Sequence, residues 1–488
     1  MSFERVTTYK RSILRPLVVS SSSVGPKTTG VDSQLRLSRS QPWQESTHIF
    51  IGTGDRDESD AWPPTKFSDD PTNIPDSDRH NIPYDIASAE SRQQDFKLYS
   101  DRTQKGSNVL PPRIVVKRYI PTAKADNGEQ GITLLMLTGM GAVKEMFEPM
   151  LEDLLPQLRK AGVRVQEVWT FDMPLCGETA KVNPIGYLYV NEKDITRDLL
   201  LFITAYLPLE PGQDLPDQLS PRLPTTSPDQ PTRKHLHVIA HSLGAQAAIL
   251  ASAHAPTIFS SITVADPAMI PSGKINTAMA KLPKDIYCLN LPEQFPTRSS
   301  VEKELQVNKR TRGWDQRVSR VFAQHGVVPD DSGKGFRLAA RPRLEWALYY
   351  DKQTPTECYD RLVDVAVPFH AIMPARPFAV PPAMFKTDVA KMKQKTSVRW
   401  LEGTTHQVLY EKMDALSHMH NIGPAFLGHD MRKAMFRDTE KLKLASLSIR
   451  ASAPCFLIDD DRVIMGENKY RQMSDQGVVP GPFATAPW

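Results

Sequence analysis

Residues His235-Leu236-His237-Val238-Ile239-Ala240 form a mainly apolar run that leads straight into His241-Ser242-Leu243-Gly244, and Ala245-Gln246-Ala247-Ala248-Ile249-Leu250-Ala251 follows as a run of good helix formers. A strand, a small-x-Ser-x-Gly turn and a helix in that order point to a nucleophile elbow, which needs an α/β sheet to hold it. Small residues two positions either side of the serine, Ala240 and Gly244, make such a turn tolerable, because larger side chains there would strike the neighbouring strand or helix. A serine hydroxyl is a poor nucleophile at neutral pH, so a histidine must be within reach to remove its proton.

The flanking sequence alternates in the same way. Ile114-Val115-Val116 and Ile132 to Leu137 read as strands, Lys144 to Ala161 as an amphipathic helix stopped by Gly162, and Val165 to Phe171 as the next strand. Pro208 to Pro231 contains seven prolines and is expected to be an extended surface insertion. Ile262 to Ala265, Val363 to Met373 and Ser397 to Glu402 complete the expected strands. Strands and helices at this spacing predict a mostly parallel sheet flanked by helices, with right-handed crossovers. Between the strand after the elbow helix and the last two strands, the sequence is more helical and carries Trp314, Phe322, Trp346 and Tyr349. It is read as a mainly helical cap. The expected organisation is a largely unstructured, polar 1–90, a core over 91–266 and 365–425 interrupted by the cap at 267–364, and a polar extension at 426–488.

Composition narrows the function classes. A chain of 488 residues with 40% hydrophobic content can bury one large core and an accessory unit. A formal charge of +4 without a sustained basic stripe gives no support to nucleic-acid binding. Cys176, Cys288, Cys358 and Cys455 are too scattered for a disulfide framework or a CxxC site, which favours a reducing, intracellular compartment. No apolar run reaches the roughly 20 residues of a membrane span; Leu199 to Leu209 reads as a core helix. The basic N-terminal stretch holding Arg5, Lys10, Arg11, Arg15 and Lys27 reads as a disordered tail rather than an organellar presequence. Ala486-Pro487-Trp488 is not an S-K-L address.

Among the 12 histidines, His406 is the candidate general base, because it lies just past the final expected strand, after the serine in chain order and at the strand ends where loops converge. The place after the penultimate strand reads Met373-Pro374-Ala375-Arg376 and offers no carboxylate. Asp266, closing the strand after the elbow helix, is therefore the favoured third member, ahead of Asp364 and Glu402; its alternative is an Asp-Pro turn that only ends the strand. The backbone N–H groups of Leu243 and Met140 are the candidate oxyanion donors, the second from the glycine-bearing loop Leu137-Thr138-Gly139-Met140-Gly141. Asp172 reads as structural and Cys176 receives no chemical role.

With these elements placed, residues 113–424 resemble the α/β-hydrolase superfamily. Lys144-Glu145-Met146-Phe147-Glu148-Pro149, Arg298-Ser299-Ser300, Gly313-Trp314-Asp315 with His325-Gly326, and Leu344-Glu345-Trp346-Ala347 are similar to fungal peroxisomal lipase-like and toxin-biosynthesis serine hydrolases. The resemblance implies cleavage of a carboxylic ester of a lipophilic small molecule, with no metal or organic cofactor, and a peroxisomal setting. Two other readings stay open: a catalytically silent lipid- or partner-binding protein on the same fold, and an acyltransferase using the same residues.

Overall fold

The computed structural model describes residues 14, 17, 43–53, 111–121, 131–183, 192–222, 231–271, 274, 291–330, 333–340, 345, 353–377 and 379–413. The C-terminal extension over 426–488, most of the N-terminal stretch, Trp346 and Tyr349 lie outside these described residues.

Eight strands form the central sheet: β1 (Trp43–Ile51), β2 (Arg113–Pro121), β3 (Ile132–Leu137), β4 (Val165–Phe171), β5 (Leu236–His241), β6 (Ser261–Ala265) and, after an inserted segment, β10 (Phe369–Pro374) and β11 (Thr396–Leu401). Their spatial order is β1-β2-β4-β3-β5-β6-β10-β11. β1 and β2 run antiparallel to their neighbours, and β4 through β11 pair in parallel. This is the mostly parallel α/β sheet expected from the alternation of elements, in the arrangement that the resemblance to α/β hydrolases implies.

Strands β3 and β5 are buried along their whole length, as parallel strands covered on both faces must be. Their side chains alternate between two apolar layers. Leu135, Leu137, Val238 and Ala240 face one, together with the helix that begins at Ser242, while Leu134, Met136 and Ile239 face the other. That second layer contains Met150, Leu154 and Leu158 of helix α1 (Glu148–Lys160), together with Val301, Leu305, Val318 and Phe322 of the inserted segment. Helix α2 (Glu192–Leu201) runs into a wider π turn, Phe202–Tyr206, and buries Leu199, Phe202 and Tyr206 in the first layer, as the expected core helix. Helix α3 (Ser242–His254) is apolar on nearly every side and packs against α2.

The segment between β6 and β10 holds helices α4 (Arg298–Val307), α5 (Gln316–His325) and α6 (Gln353–Asp360), and a small antiparallel sheet of β7 (Gln294–Phe295), β8 (Val327–Pro329) and β9 (Phe336–Leu338). Thr297 caps α4 by accepting from the Ser300 N–H at 3.1 Å, and Asp315 caps α5 by accepting from the Arg317 N–H at 2.8 Å.

Several sequence expectations need correction. Within the stretch expected to be unstructured, Trp43–Ile51 forms β1, paired with β2 along nine residues. Two of its polar residues meet partners far along the chain: Glu45 meets Lys117 at 3.2 Å, and His48 bonds the Pro216 carbonyl at 2.8 Å. Phe50 packs among Phe171, Phe202 and Tyr206 at ring separations of 5.5, 5.1 and 5.2 Å. The proline-rich insertion is not wholly detached, since the Ile49 N–H donates to the Asp217 carbonyl and the Leu219 N–H to the Ile49 carbonyl. The helix expected over Lys144–Ala161 opens as a 3-10 turn, Lys144–Phe147, before Pro149 sets the first turn of α1. The strand expected from Val363 starts only at Phe369, because Leu362–Asp364 turns as a 3-10 helix and Pro368 precedes the pairing.

Candidate active site

Strand β5 ends at His241, and Ser242 adopts φ +50 before α3 begins. A non-glycine residue in the left-handed region stores strain, which the packing around it must hold. That packing is close. A Cβ on Gly244 would stand 2.5 Å from the Thr138 carbonyl oxygen, so only glycine lets α3 approach the β3 loop. A Cβ on Gly139 would stand 2.6 Å from His241 Nδ1 and 3.1 Å from Ser242 Cβ, so the same loop lies directly against the elbow.

His406 follows β11 by a short turn through Gly403, and Asp266 follows β6 directly with φ +34. Ser242, Asp266 and His406 thus come from the carboxyl ends of β5, β6 and β11, where an open parallel sheet gathers its loops. Ser242 Oγ lies 2.9 Å from His406 Nε2, and His406 Nδ1 lies 2.7 Å from Asp266 Oδ2. A carboxylate only accepts, so the imidazole places its proton on Nδ1 and leaves Nε2 free to accept from the serine hydroxyl. The three residues are largely buried, at 7%, 6% and 1% exposure for Ser242, His406 and Asp266.

The other sequence candidates for the acid stand elsewhere. Asp364 is in the 3-10 turn ahead of β10, near Arg361, and Glu402 is exposed, whereas the carboxylate bonded to the imidazole is that of Asp266. Leu243 sits in the first turn of α3, where an N–H has no carbonyl four residues back within the helix. Met140 lies in the turn closed by the Ala142 N–H on the Gly139 carbonyl at 3.3 Å, next to Gly139 at the elbow. The loop is tied to the sheet where the Thr138 hydroxyl donates to the Phe171 carbonyl at 3.3 Å.

Asp172 holds the far side of this loop. It accepts from the Lys144 N–H at 2.9 Å, from Lys144 Nζ at 3.1 Å and from the Glu178 N–H at 3.0 Å. Burial is the main force raising its pKa to about 6, against the lowering effect of Lys144. Cys176 is fully buried, and burial pushes its thiol well above the ordinary range, which leaves no thiolate to act as a nucleophile.

Several residues beside the site were not singled out from sequence. His241 Nε2 lies 2.7 Å from the His406 carbonyl oxygen, and the ring lies tilted against that of His406 at 4.9 Å and edge-on to that of Tyr410 at 5.1 Å. Burial drives the His241 pKa down to about 3. In the inserted segment, Arg310 pairs with Glu345 at 2.8 Å, and the carboxylate lies against Gly141 of the loop. Between them a cavity is lined by Gly141, Leu291, Trp314, Phe322, Leu338 and the Arg310–Glu345 pair. A histidine immediately before Ser242 was visible in the motif, but nothing local says what its ring touches.

A family model described as "Alpha/beta hydrolase family" matches residues 134–418, which is more than half of the chain. The chain belongs to the alpha/beta hydrolase family. Among solved structures it is similar to the peroxisomal alpha-beta-hydrolase Lpx1 of Saccharomyces cerevisiae, at TM-score 0.53 and 14% identity, over 91% of this chain and 100% of that one. It is also similar to an esterase, Rv0045c, from Mycobacterium tuberculosis, at TM-score 0.41 and 15% identity, over 67% of this chain and 95% of that one. Among curated proteins it is similar to the type I acyl-CoA thioesterase mpaH' of Penicillium brevicompactum, at 28% identity over 112 residues. That likeness spans 23% of this chain and a quarter (25%) of the relative. Among the described residues, no helix is long and apolar enough to cross a membrane.

Proposed function

We propose that this family member is a serine hydrolase that cleaves a carboxylic ester of a lipophilic acyl substrate through an acyl-enzyme on Ser242. The observation that carries the reading is the unbroken chain from Asp266 through His406 to Ser242, at 2.7 and 2.9 Å. His406 Nε2 takes the hydroxyl proton as Ser242 Oγ attacks the acyl carbonyl, and Asp266 stabilises the imidazolium that results. The N–H groups of Leu243 and Met140 receive the negative charge on the carbonyl oxygen. The imidazolium gives its proton to the departing alkoxide, leaving an acyl-serine. Water attacks that ester, passes a proton to His406 and releases the acid with Ser242 restored.

A lipophilic substrate is supported by the apolar wall of Leu291, Trp314, Phe322 and Leu338 facing the loop that carries Met140. Thioesters are a second reading, favoured by the likeness to an acyl-CoA thioesterase. The chemistry at Ser242 is the same for both, with a thiolate as the leaving group. An organellar residence belongs to this reading through the peroxisomal relative.

The test is labelling with a fluorophosphonate probe followed by peptide mapping, and then turnover of p-nitrophenyl esters and acyl-CoA thioesters of increasing chain length. Wild type is expected to label at Ser242 and Ser242→Ala not at all, with kcat/KM rising with acyl length. Equal labelling of Ser242→Ala removes the reading. Saturable lipid binding without turnover favours a silent binding protein, and ester products formed with an added alcohol favour a transferase.

A further inference from the structure

We propose that His241 is a positioning residue for the base: its ring Nε2–H holds the main-chain carbonyl of His406, and so fixes the imidazole between Asp266 and Ser242. The inference rests on the triad reading above and deepens it. A carbonyl oxygen only accepts, so the 2.7 Å contact places the proton of His241 on Nε2. Nδ1 is then bare; it is buried without a hydrogen-bond partner and faces the loop at Gly139. A proton there would add a donor with nothing to receive it. The ring is also surrounded by His406, Arg310 and Tyr410, and burial above all, helped by the nearness of His406 and Arg310, keeps it neutral.

The geometry makes this a coupling between parts of the site that are far apart in sequence. His241 is the residue before the nucleophile, and its acceptor lies 165 positions on. Its ring lies 4.9 Å from that of the base and against the oxyanion loop, while the edge contact with Tyr410 at 5.1 Å closes the remaining side. The elbow, the base loop and the oxyanion loop therefore meet at one neutral imidazole. The His406 loop is also held by the Thr404 hydroxyl on the Leu401 carbonyl and by Thr405 on Glu411. An aliphatic or phenyl ring at 241 would fill the volume yet offer the carbonyl no donor. A shift of about 1 Å in a reacting group costs on the order of 100-fold in rate.

The test compares His241→Phe, which keeps a flat ring without a donor, with His241→Gln, whose amide N–H can reach the same carbonyl. His241→Phe is expected to lose about 100-fold in kcat with KM within about threefold. Fluorophosphonate inactivation of Ser242 should slow in parallel, and His241→Gln should regain at least a tenth of wild-type kcat. A His241→Phe enzyme within threefold of wild type overturns the proposal, as does a folded His241→Gln that is no better than His241→Phe. Should His241→Phe fail to fold, ¹⁵N-histidine spectra of the wild type decide. The His241 ring should show a protonated Nε2 and a bare Nδ1 from pH 5 to 9; the other tautomer, or titration near 6.5, overturns it. A wild type that neither labels nor turns over ester fails the triad reading itself. An active, labelling wild type with an unaffected His241→Phe removes this inference alone.

Discussion

Asp266 Oδ2 lies 2.7 Å from His406 Nδ1, so the carboxylate facing the imidazole comes from the strand after the elbow helix and not from the penultimate strand. Asp266 keeps its place because its own N–H donates to the Ile372 carbonyl on the adjacent strand β10 at 3.0 Å. The strand that offers no carboxylate of its own thus helps hold the one that faces His406. Substituting Asp266→Asn should preserve the fold and lower kcat by about 10⁴-fold, with KM little changed, because an amide favours the wrong imidazole tautomer. Steady-state kinetics on an activated ester check this, and a loss below tenfold would assign the orienting role elsewhere.

Gly244→Ala should damage the elbow without touching any titratable group. Its Cβ would fall 2.5 Å from the Thr138 carbonyl oxygen, and backbone lies on both sides of the contact. Overpacking of this kind costs about 1–3 kcal/mol. The expected results are a lower urea midpoint with an unchanged slope and a slower reaction with the fluorophosphonate, both read on purified protein.

Lys144 is fully buried and meets three carboxylates, Glu145 at 2.8 Å, Asp172 at 3.1 Å and Glu178 at 2.7 Å. Lys144→Met fills much the same volume but leaves the buried Asp172 carboxylate without its cation. Removing one member of a buried ion pair costs about 3–5 kcal/mol. Denaturant unfolding should show a loss of that size, and the oxyanion loop should loosen with it, because the Lys144 N–H also bonds Asp172. A change under 1 kcal/mol would mean that the carboxylates simply take up protons.

Stability should fall on mild acidification. His237, His241 and His370 are buried and held neutral, with pKa values pushed by burial to about 3, 3 and 4. The unfolded chain takes up protons at about 6.5 while the folded chain does not, so stability declines as pH drops from about 6.5 toward 3–4. Each group contributes on the order of 1 kcal/mol of loss per unit in that window. Asp172 acts in the opposite sense, because its pKa raised to about 6 lets the folded state bind a proton first. Three groups outweigh one, so the melting temperature at pH 5.5 should lie several degrees below that at pH 7.5. Equal melting temperatures would show that these rings are open to solvent.

The sheet, the turn at Ser242 and the place of His406 after the last strand were legible in the sequence because each is a local pattern. Continuous apolar runs such as Leu134 to Leu137 mark strands covered on both faces, and Gly244 two residues past Ser242 marks a turn. β1 escaped notice because Glu45, Thr47 and His48 look like a solvated segment until Lys117 and Pro216 are brought beside them. Polar residues in a strand are paired across the sheet, and that pairing depends on a partner far along the chain.

The order of hydrophobic and small residues alone therefore determined that this chain builds a parallel sheet with a strained serine at one strand end. Only the tertiary structure decided which carboxylate faces His406, and that the ring of His241 bonds its carbonyl. Secondary structure depends on neighbours a few residues away, whereas these contacts join positions 140 and 165 apart, which meet only because β5, β6, β10 and β11 lie side by side.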